Sequence, residues 1–329
     1  MSKNSILFLS AGDVEKAIGM REAISAMEDA FLHLASGEAV VPLRSHLAMP
    51  EDNAEALFMP AYLPYLSKIS LKTVTINKGN LDRGLPMIQA MVTLFDSTTG
   101  SPLAVMDGEY LTALRTGAVS GLATNMLARK DAEVAAIIGT GAQGKTQLEA
   151  ICEVRDIRKA IAFDLNKESA NIFAEEMSKK LGIEVVPATS PQDLSLADII
   201  CTATSSIQPV FDDANLKRGV HINGVGSYRP DMCEIPANTI MRAKVVIDQA
   251  TAALAEAGDL LQPIENGLIT PDHIHAELGE ILEGKKVKRE SDEEITVFKS
   301  VGVAVQDLSA ANRVLERARE LGLGTEVNM

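Results

Sequence analysis

The sequence predicts an α/β protein in which an N-terminal α+β domain is joined to a domain built on a doubly wound parallel sheet. Strand-like and helix-like segments alternate from Glu133 onward, which is the pattern of a parallel sheet with right-handed crossovers. A glycine-rich turn directly follows the first of these strands. Before Glu133, short strand-like runs without such alternation indicate mainly antiparallel pairing.

The first domain is predicted to open with a helix and to continue as strands. Residues 10–13 offer caps, and apolar residues at helical spacing then predict an amphipathic helix up to Gly37, namely Ile24, Met27, Phe31 and Leu34. The strand-like runs that follow are 57–59, 69–76, 87–95 and 102–106. Turn-forming residues at 96–100 predict a hairpin between the last two runs. A helix over 109–127, with one apolar face, leads into the second domain; that face is Leu111, Leu114, Ala118 and Leu122.

The second domain is centred on a glycine-rich turn. Residues 134–138 are entirely apolar, which predicts a buried strand. Gly139, Gly141 and Gly144 follow in the spacing Gly-x-Gly-x-x-Gly. In dinucleotide-binding proteins the first glycine allows a tight turn, the second lets the pyrophosphate approach the backbone, and the third lets helix and strand pack closely. The turn therefore predicts a Rossmann-type site for a dinucleotide.

Asp164 is an acidic residue at the position where Rossmann-type sites bind the ribose of the dinucleotide. It ends a second apolar strand, 160–163, and stands about 20 residues beyond the last glycine, where an acid binds the ribose 2′-hydroxyl. Because such an acid repels a 2′-phosphate, NAD(H) is the preferred cofactor. NADP(H) is the alternative, since Lys167 could partly screen the acid.

The remaining segments extend the alternation. Further strands are predicted at 183–186, 199–202, 220–223, 244–248 and 295–298. Further helices are predicted at 143–154, 167–181 and 271–284. A final helix over 302–321 is long enough to fold back onto the first domain. We therefore expect a first domain of residues 1–118 with 304–329 and a second of residues 119–303.

Composition narrows the classes of partner. With 46% hydrophobic residues and a mean hydropathy of +0.08, the 329-residue chain is expected to bury a large core. Its formal net charge of −14 argues against nucleic acid or an anionic membrane as a partner. No apolar run approaches the roughly 18 residues of a membrane span, and the run at 6–9 is too short for a signal peptide.

Cysteine and histidine usage adds two expectations. Cys152, Cys201 and Cys233 are scattered, which predicts reduced thiols in a cytoplasmic protein. The five histidines show no ligand spacing with another donor. His273 and His275 lie on a predicted helix, where residues two apart face different directions. No metal is expected.

Three basic residues stand out in the first domain. Lys72 lies inside the strand-like stretch 70–74 and is either an edge residue or a desolvated amine with a lowered pKa. Arg115 lies on a helix that is otherwise apolar for two turns, and Arg44 starts a strand. Together they suit a carboxylate clamp, since guanidinium binds carboxylate bidentately, although each alone is more often an ordinary ion pair.

The chain resembles the ornithine cyclodeaminase/μ-crystallin family, which includes an archaeal type of alanine dehydrogenase and cyclic-imine reductases. The matching stretches run over nearly the whole chain in the right order: KTV at 72–74, Asn80, GLP at 84–86, TGSPLAVMDG at 99–108, LTALRTGA at 111–118, the glycine turn with AQG at 142–144, and FKSVG at 298–302. This resemblance implies an N-terminal substrate-binding and dimerisation domain, a Rossmann domain, and a terminal helix that returns to the first domain.

The resemblance also implies the site residues. Lys72 corresponds to the catalytic lysine. Tyr228 is a second expected catalytic residue, although it departs from the family pattern. The substrate is expected at Arg44, Lys72, Arg115, Ser300 and Val301. The cofactor is expected at Arg115, Thr116, Gly139, Gly141, Ala142, Gln143, Gly144, Asp164, Thr202, Thr204, Val225, Gly226 and Ser227.

The sequence departs from the family pattern at VGSYRPD, residues 225–231. Cyclodeaminases and alanine dehydrogenases of the family carry an aspartate where Tyr228 stands, and that aspartate is the general acid/base of deamination. Asp231, three positions later, need not point at the same place. Tyrosine, with a reference pKa near 10, is a poor base at neutral pH but can donate a proton. The Arg-Pro-Asp sequence is closer to the μ-crystallin branch, which resembles ketimine reductases.

The expected function is NAD(H)-dependent reduction of a small cyclic α-imino acid, such as Δ1-pyrroline-2-carboxylate to L-proline, by a cytoplasmic homodimer. The alternatives are ornithine cyclodeaminase, alanine dehydrogenase, and a non-catalytic, nucleotide-bound ligand-binding protein. Intact Lys72, Arg44 and Arg115 speak against the last, because a pure binder does not need a lysine embedded in a strand.

Overall fold

The computed structural model describes residues 5–328, with the backbone alone at Leu81, and the chain divides into two compact units. The first unit comprises the residues up to Arg115 and those from Val303 onward, and the second is Thr116–Gly302. The boundaries expected from the sequence, 118/119 and 303/304, lie within three residues of these. No helix within the described residues is long and apolar enough to cross a membrane.

The helices and strands follow one another in three groups. Those before the second unit are β1 (Ser5–Leu9), α1 (Ala11–Ala17), α2 (Met20–Ala35), β2 (Ser45–Met49), β3 (Ala54–Leu63), β4 (Lys68–Asn77), β5 (Ile88–Asp96), β6 (Pro102–Asp107) and α3 (Gly108–Leu127), which runs on into the second unit. Those of the second unit are β7 (Val134–Ile138), α4 (Ala142–Val154), β8 (Lys159–Phe163), α5 (Lys167–Leu181), β9 (Glu184–Pro187), β10 (Ile199–Thr202), β11 (His221–Gly224), α6 (Ala237–Arg242), β12 (Lys244–Ile247), α7 (Ala250–Glu256), α8 (Gly258–Glu265), β13 (Ile274–Glu277), α9 (Leu278–Leu282) and β14 (Thr296–Lys299). The last two are α10 (Ala304–Leu321) and β15 (Thr325–Asn328).

The first unit is a seven-stranded sheet in the order β15-β1-β6-β5-β4-β3-β2. Neighbouring strands are antiparallel except β1 and β6, which are parallel. The predicted hairpin of β5 and β6 is confirmed, and α10 packs on β3, β4 and α2. Because side chains alternate along a strand, Ser70, Lys72 and Ile76 of β4 are buried, while Ile69 and Thr75 on the other face are exposed.

The second unit is an eight-stranded parallel sheet in the order β13-β12-β14-β11-β10-β7-β8-β9. The chain first builds outward from β7 to β8 and β9, and then returns to the other side of β7 with β10. The doubly wound prediction is therefore confirmed, and the strand order reverses between β7 and β10. A crevice at the carboxyl ends of the strands is the usual ligand position at such a reversal.

The predicted helix over 271–284 is wrong. That segment forms a 3-10 turn (Pro271–His273), the edge strand β13 and the short helix α9. Pairing of β13 with β12 supplies backbone hydrogen bonds that local helical propensity does not take into account. His273 and His275 therefore do not share a helix, and their Nε2 atoms lie 2.7 and 2.8 Å from the carbonyl oxygens of Ile240 and Val287.

Smaller differences concern α3 and the short elements. Instead of one apolar face, α3 is buried on nearly all sides, including its small polar residues Ser120 and Thr124. Arg44 lies one residue before β2, whereas the sequence predicts that it starts the strand. The strands β1 and β15 and the helices α6, α7 and α8 are not predicted by the sequence, because each is short and shows no extended periodicity.

Candidate active site

Lys72 is a desolvated amine in the core of the first unit. It lies in the middle of β4, which is flanked on both sides by β3 and β5, so the edge-strand explanation does not apply. Its side chain is 2% exposed, and Nζ lies 2.9 Å from Asp307 of α10. Burial and the charge of Arg115 lower the pKa of Lys72 to about 7, against the opposing effect of Asp307.

Asp307 holds Lys72 and Arg115 together. The carboxylate accepts hydrogen bonds of 2.9 Å from Lys72 Nζ and from Arg115 Nε, while Arg115 Nη1 donates to Gln306 Oε1 at 2.6 Å. Burial alone would raise the pKa of Asp307, but Arg115 and Lys72 outweigh it and hold that pKa below its usual range. The carboxylate is therefore ionised, and it fixes both cationic side chains.

Arg44 adds to the positive charge of this cluster. The residue is half-buried, and its charge is close enough to contribute to the lowered pKa of Lys72. Lys72 and Arg115 thus pair with one buried carboxylate, and Arg44 adds a third positive charge near Lys72, in a chain whose formal net charge is −14. The cluster can attract a small carboxylate despite the overall field, and bidentate binding by guanidinium would orient it.

In the second unit, two of the three motif glycines are required by packing and one leaves room for a ligand. Gly139 has a φ of +97°, and a Cβ there would lie 2.5 Å from Ala203 O. At Gly144 a Cβ would lie 2.2 Å from Gly139 O, so the turn and α4 approach closely. A Cβ on Gly141, by contrast, would have no described atom within 4 Å.

The N-terminus of α4 supports the same interpretation. Gly141 is its N-cap and, having no side chain, makes no side-chain cap hydrogen bond. Ala142, Gln143 and Gly144 form the first turn of the helix, whose backbone N–H groups lack partners four residues earlier in the helix. Open space at Gly141 beside these donors fits a dinucleotide pyrophosphate.

Asp164 is held as an anion at the end of β8. Burial would raise the pKa of Asp164, but hydrogen bonds from Thr140 and from the backbone of Asn166 lower it below its usual value. Asp164 Oδ2 accepts from Thr140 N at 3.0 Å and from Thr140 Oγ1 at 2.7 Å. An exposed, ionised carboxylate at this position can accept hydrogen bonds from ribose hydroxyls and disfavours a 2′-phosphate.

The other residues expected at the cofactor lie on α3, at the end of β10 and in the loops after β10 and β11. Val225 N donates to Thr202 O at 3.0 Å, which joins the loops after β10 and β11. Buried Thr116 accepts a hydrogen bond from Gln147 Nε2 through its carbonyl. The polar groups that meet at Glu234 belong to Thr202, Thr204, Gly226 and Ser227.

Ser300 and Val301 lie in the turn after β14, where Asp248 holds them. Asp248 Oδ2 accepts from Ser300 Oγ at 2.8 Å and from the backbone N–H groups of Val301 and Gly302 at 2.9 Å each. Asp248 is fully buried. The backbone of this turn is therefore fixed by a side chain that no motif in the sequence marks.

Tyr228 and Asp231 lie in different environments. Tyr228 is half-buried, and the Arg229 guanidinium carbon lies 6.0 Å from its ring centre. Asp231 is exposed and pairs with Arg229 through two contacts of 2.9 Å. Asp231 is thus directed at Arg229, and this geometry does not favour it as a replacement for the family aspartate.

Sequence reasoning missed the buried partners of the site, namely Gln306, Asp307, Glu234, Asp248, Asp259 and Lys299. For Asp307 a signal was present, because an acid interrupts the otherwise mainly apolar start of α10. Glu234 and Asp248 show no comparable local signal. Within residues 5–328 no group of three or more His, Cys, Asp and Glu residues is arranged to hold a metal ion.

The chain is similar to known proteins over almost its full length. The profile of the ornithine cyclodeaminase/mu-crystallin family matches residues 4–322. A Δ(1)-pyrroline-2-carboxylate reductase of Bacillus cereus is 43% identical over 324 residues, which cover 98% of this chain and 99% of the relative.

Two solved structures extend this similarity. Thermococcus litoralis Δ(1)-pyrroline-2-carboxylate reductase, in complex with NADH and L-proline, is 45% identical with a TM-score of 0.95 and covers 98% of this chain and 100% of its own. An archaeal alanine dehydrogenase dimer with bound NAD is 36% identical with a TM-score of 0.93 and covers 99% of both chains.

Proposed function

The chain belongs to the ornithine cyclodeaminase/mu-crystallin family, and on that premise we propose that it is an NAD(H)-dependent reductase of a small cyclic α-imino acid. The substrate is of the Δ1-pyrroline-2-carboxylate type, and the product is L-proline. The observation that carries the proposal is the desolvated Lys72, fixed by Asp307 next to Arg115, in a chain 43% identical to such a reductase.

The residues of the first unit have distinct roles in this reaction. Arg115 and Arg44 bind the substrate carboxylate and orient the imine. Lys72, which loses its charge near neutral pH, donates a proton to the imine nitrogen. Asp307 keeps Lys72 and Arg115 in place. When bound, NADH supplies the hydride for the C=N carbon, so one hydride and one proton convert the imine to the amine.

The residues of the second unit hold the cofactor. The N-terminus of α4 at Gly141 binds the pyrophosphate, and Asp164 binds the ribose hydroxyls, which favours NAD(H) over NADP(H). Lys167, exposed near Asp164, could soften that preference by screening. The end of β10 at Thr202 and the loop that carries Gly226 contribute further contacts.

The proposal includes the assembly and the compartment. We place a homodimer interface on the first unit, because the related archaeal alanine dehydrogenase forms a dimer and one face of this unit's sheet exposes apolar side chains. A cytoplasmic location fits the three free cysteines. It also fits a reaction that consumes NADH.

A substrate panel with NADH and NADPH tests the proposed reaction. We expect oxidation of NADH with Δ1-pyrroline-2-carboxylate, none with pyruvate and ammonia, and no ammonia release from L-ornithine with NAD⁺. Lys72→Ala should abolish turnover and leave NADH binding intact, whereas Lys68→Ala, on the same strand, should retain turnover. Rapid reaction of ornithine or of pyruvate would instead identify a cyclodeaminase or an alanine dehydrogenase. NADH binding without any turnover would identify a ligand-binding protein.

Tyr228 separates the reductase from the cyclodeaminase directly. Restoring the family acid with Tyr228→Asp should introduce at most a trace of ammonia release from ornithine, while Asp231→Asn should leave wild-type imine reduction unchanged. If the wild type released ammonia and Asp231→Asn abolished it, Asp231 would fill the missing role and the reductase assignment would be wrong.

A further inference from the structure

Glu234 is a buried carboxylate that none of the site motifs includes. It lies between β11 and α6 and is fully buried. Its Oε1 accepts from Thr204 N at 2.6 Å and from Thr204 Oγ1 at 2.8 Å. Its Oε2 accepts from Thr202 Oγ1 at 3.0 Å, from Gly226 N at 2.7 Å and from Ser227 N at 3.1 Å. One carboxylate thus binds two loops.

These hydrogen bonds use the full acceptor capacity of the carboxylate. A carboxylate offers about four lone-pair directions, and here five donors from four residues approach it. The donors offset part of the cost of burying the charge, although burial still raises the pKa of Glu234 above its usual value. They also leave no acceptor direction for water, so the two loops are fixed to each other by this side chain.

The packing around Glu234 leaves little freedom. A Cβ on Gly226 would lie 2.4 Å from Glu234 Oε1 and 2.2 Å from Thr204 O, so only glycine allows this approach. Asp259 Oδ1 in turn accepts from the backbone N–H groups of Glu234 and Ile235 at 2.6 and 3.0 Å. Asp259 also pairs with Lys299 at 2.9 Å, with both side chains fully buried.

The two loops lie where a dinucleotide would bind. They follow β10 and β11 at the carboxyl edge of the parallel sheet, beside the strand-order reversal between β7 and β10. The loop after β10 also adjoins the glycine turn, since Ala203 N donates to Ile138 O at 2.8 Å. The carboxylate therefore fixes backbone that is next to the phosphate-binding turn.

We propose that Glu234 is a positioning residue for the dinucleotide, which holds the loops after β10 and β11 in the conformation that binds the cofactor before the cofactor arrives. The inference rests on the proposed function, because that proposal assigns these loops to NAD(H). Glu234 does not contact the reacting atoms. It acts through the backbone of Thr204 and Gly226.

Glu234→Gln tests this role, because an amide replaces one acceptor oxygen with a donor that faces backbone N–H groups. We expect the Kd for NADH, measured by fluorescence titration, to rise about tenfold or more, together with the KM for NADH. The KM for the imine should change far less. A Kd within about twofold of the wild-type value would overturn the proposal.

Asp198→Asn is the matched control for general destabilisation. Asp198 is also a buried carboxylate of the second unit, and it accepts from the backbone N–H groups of Glu133 and Val134 at 3.1 Å each. It lies at the opposite, amino-terminal edge of the sheet, where β7 and β10 begin. We expect Asp198→Asn to lower the Tm of the protein but to leave the Kd for NADH unchanged. An equal loss of NADH affinity in both variants would mean that Glu234 is only structural.

A second variant keeps the test decisive if Glu234→Gln does not fold. Glu234→Asp retains the charge but shortens the reach, so we expect a weaker rise in the Kd for NADH at a nearly wild-type Tm. Wild-type affinity in Glu234→Asp would then overturn the inference. Failure of the wild-type protein to bind NADH would instead contradict the proposed function itself, which separates the two outcomes.

Discussion

The chemistry of Lys72 is set by the groups that surround its amine. Burial removes water that would stabilise the charged form, and Arg115 and Arg44 oppose that charge further, while Asp307 favours it. The result is a lysine with a pKa of about 7, which can both carry and release a proton at neutral pH. General acid catalysis is most effective when the pKa lies near the working pH.

The pH dependence of imine reduction should follow the pKa of Lys72. If protonated Lys72 is the acid, kcat/KM falls as the pH rises through about 7. Asp307 raises the pKa of Lys72, so Asp307→Asn should move the falling limb to lower pH and reduce activity at neutral pH. Asp96→Asn, at the end of β5 in the same unit, is the control and should leave the limb in place. An unshifted limb in Asp307→Asn would contradict this role of Asp307.

Cofactor choice should depend on Asp164. We expect a higher kcat/KM with NADH than with NADPH, because an ionised carboxylate repels the 2′-phosphate. Asp164→Ser should narrow the difference, while Asp156→Ser, at an exposed position of the same unit, should not. A wild-type preference for NADPH of about tenfold or more would contradict the assignment.

Single residues of the site are predictable where a local pattern marks them. The glycine spacing and the position of Asp164 follow from the sequence, because neighbours along the chain define that turn. Asp307 contacts Lys72 across 235 positions of sequence, and the donors to Glu234 come from two loops up to 32 positions away. Such partners become visible only when packed strands and helices bring them together.

At the scale of secondary-structure elements, the turn between β7 and α4 contains one glycine that packing requires and one that leaves room for a ligand. A Cβ at Gly144 meets the carbonyl of Gly139 at 2.2 Å, whereas a Cβ at Gly141 meets no described atom within 4 Å. The φ of −73° at Gly141 is also one that alanine adopts readily. The two glycines should therefore respond differently to the same substitution.

Gly141→Ala should leave the Tm unchanged and weaken NADH binding by about tenfold or more, because the added methyl group occupies space that the pyrophosphate needs. Gly144→Ala should instead lower the Tm, because strand and helix must move apart. Thermal unfolding and NADH fluorescence titration measure the two effects. Wild-type NADH affinity in Gly141→Ala would place the pyrophosphate elsewhere.

Long, periodic elements are predictable from the sequence, and short ones are much less so. The strands β7 and β10 and the helix α5 have the predicted bounds, because apolar runs and caps define them locally. The local pattern over 271–284 predicts one helix, yet the middle of that segment pairs with β12 as an edge strand. Tertiary pairing overrides weak local propensity in such segments.

At the scale of the whole molecule, the sheet of the first unit presents two different faces. One is covered by α10 and contains Lys72. On the other face, Phe58 of β3 and Met91 of β5 are paired with Thr73 of β4. Ile69 lies on the same face of β4, four residues before Thr73. Met91 is 47% exposed and Ile69 37% exposed. Exposed apolar side chains grouped on one face of a sheet in this way indicate an interaction surface.

We expect a second copy of the chain to cover this face, since a related alanine dehydrogenase is dimeric. Met91→Glu should then convert a dimer to a monomer at micromolar concentration, as measured by light scattering. A twofold interface contains each substitution twice, and each buried, unpaired carboxylate opposes association strongly.

Met241→Glu provides the control for this dimer prediction. Met241 is similarly exposed, at 43%, but lies on α6 in the second unit, so the same change of size and charge should leave the dimer intact. A wild-type monomer would refute the prediction outright. Dissociation by Met241→Glu alone would move the interface to the second unit. Dissociation by Met91→Glu alone, with the Tm of the isolated monomer close to that of the wild type, would assign the interface to the exposed face of the first sheet.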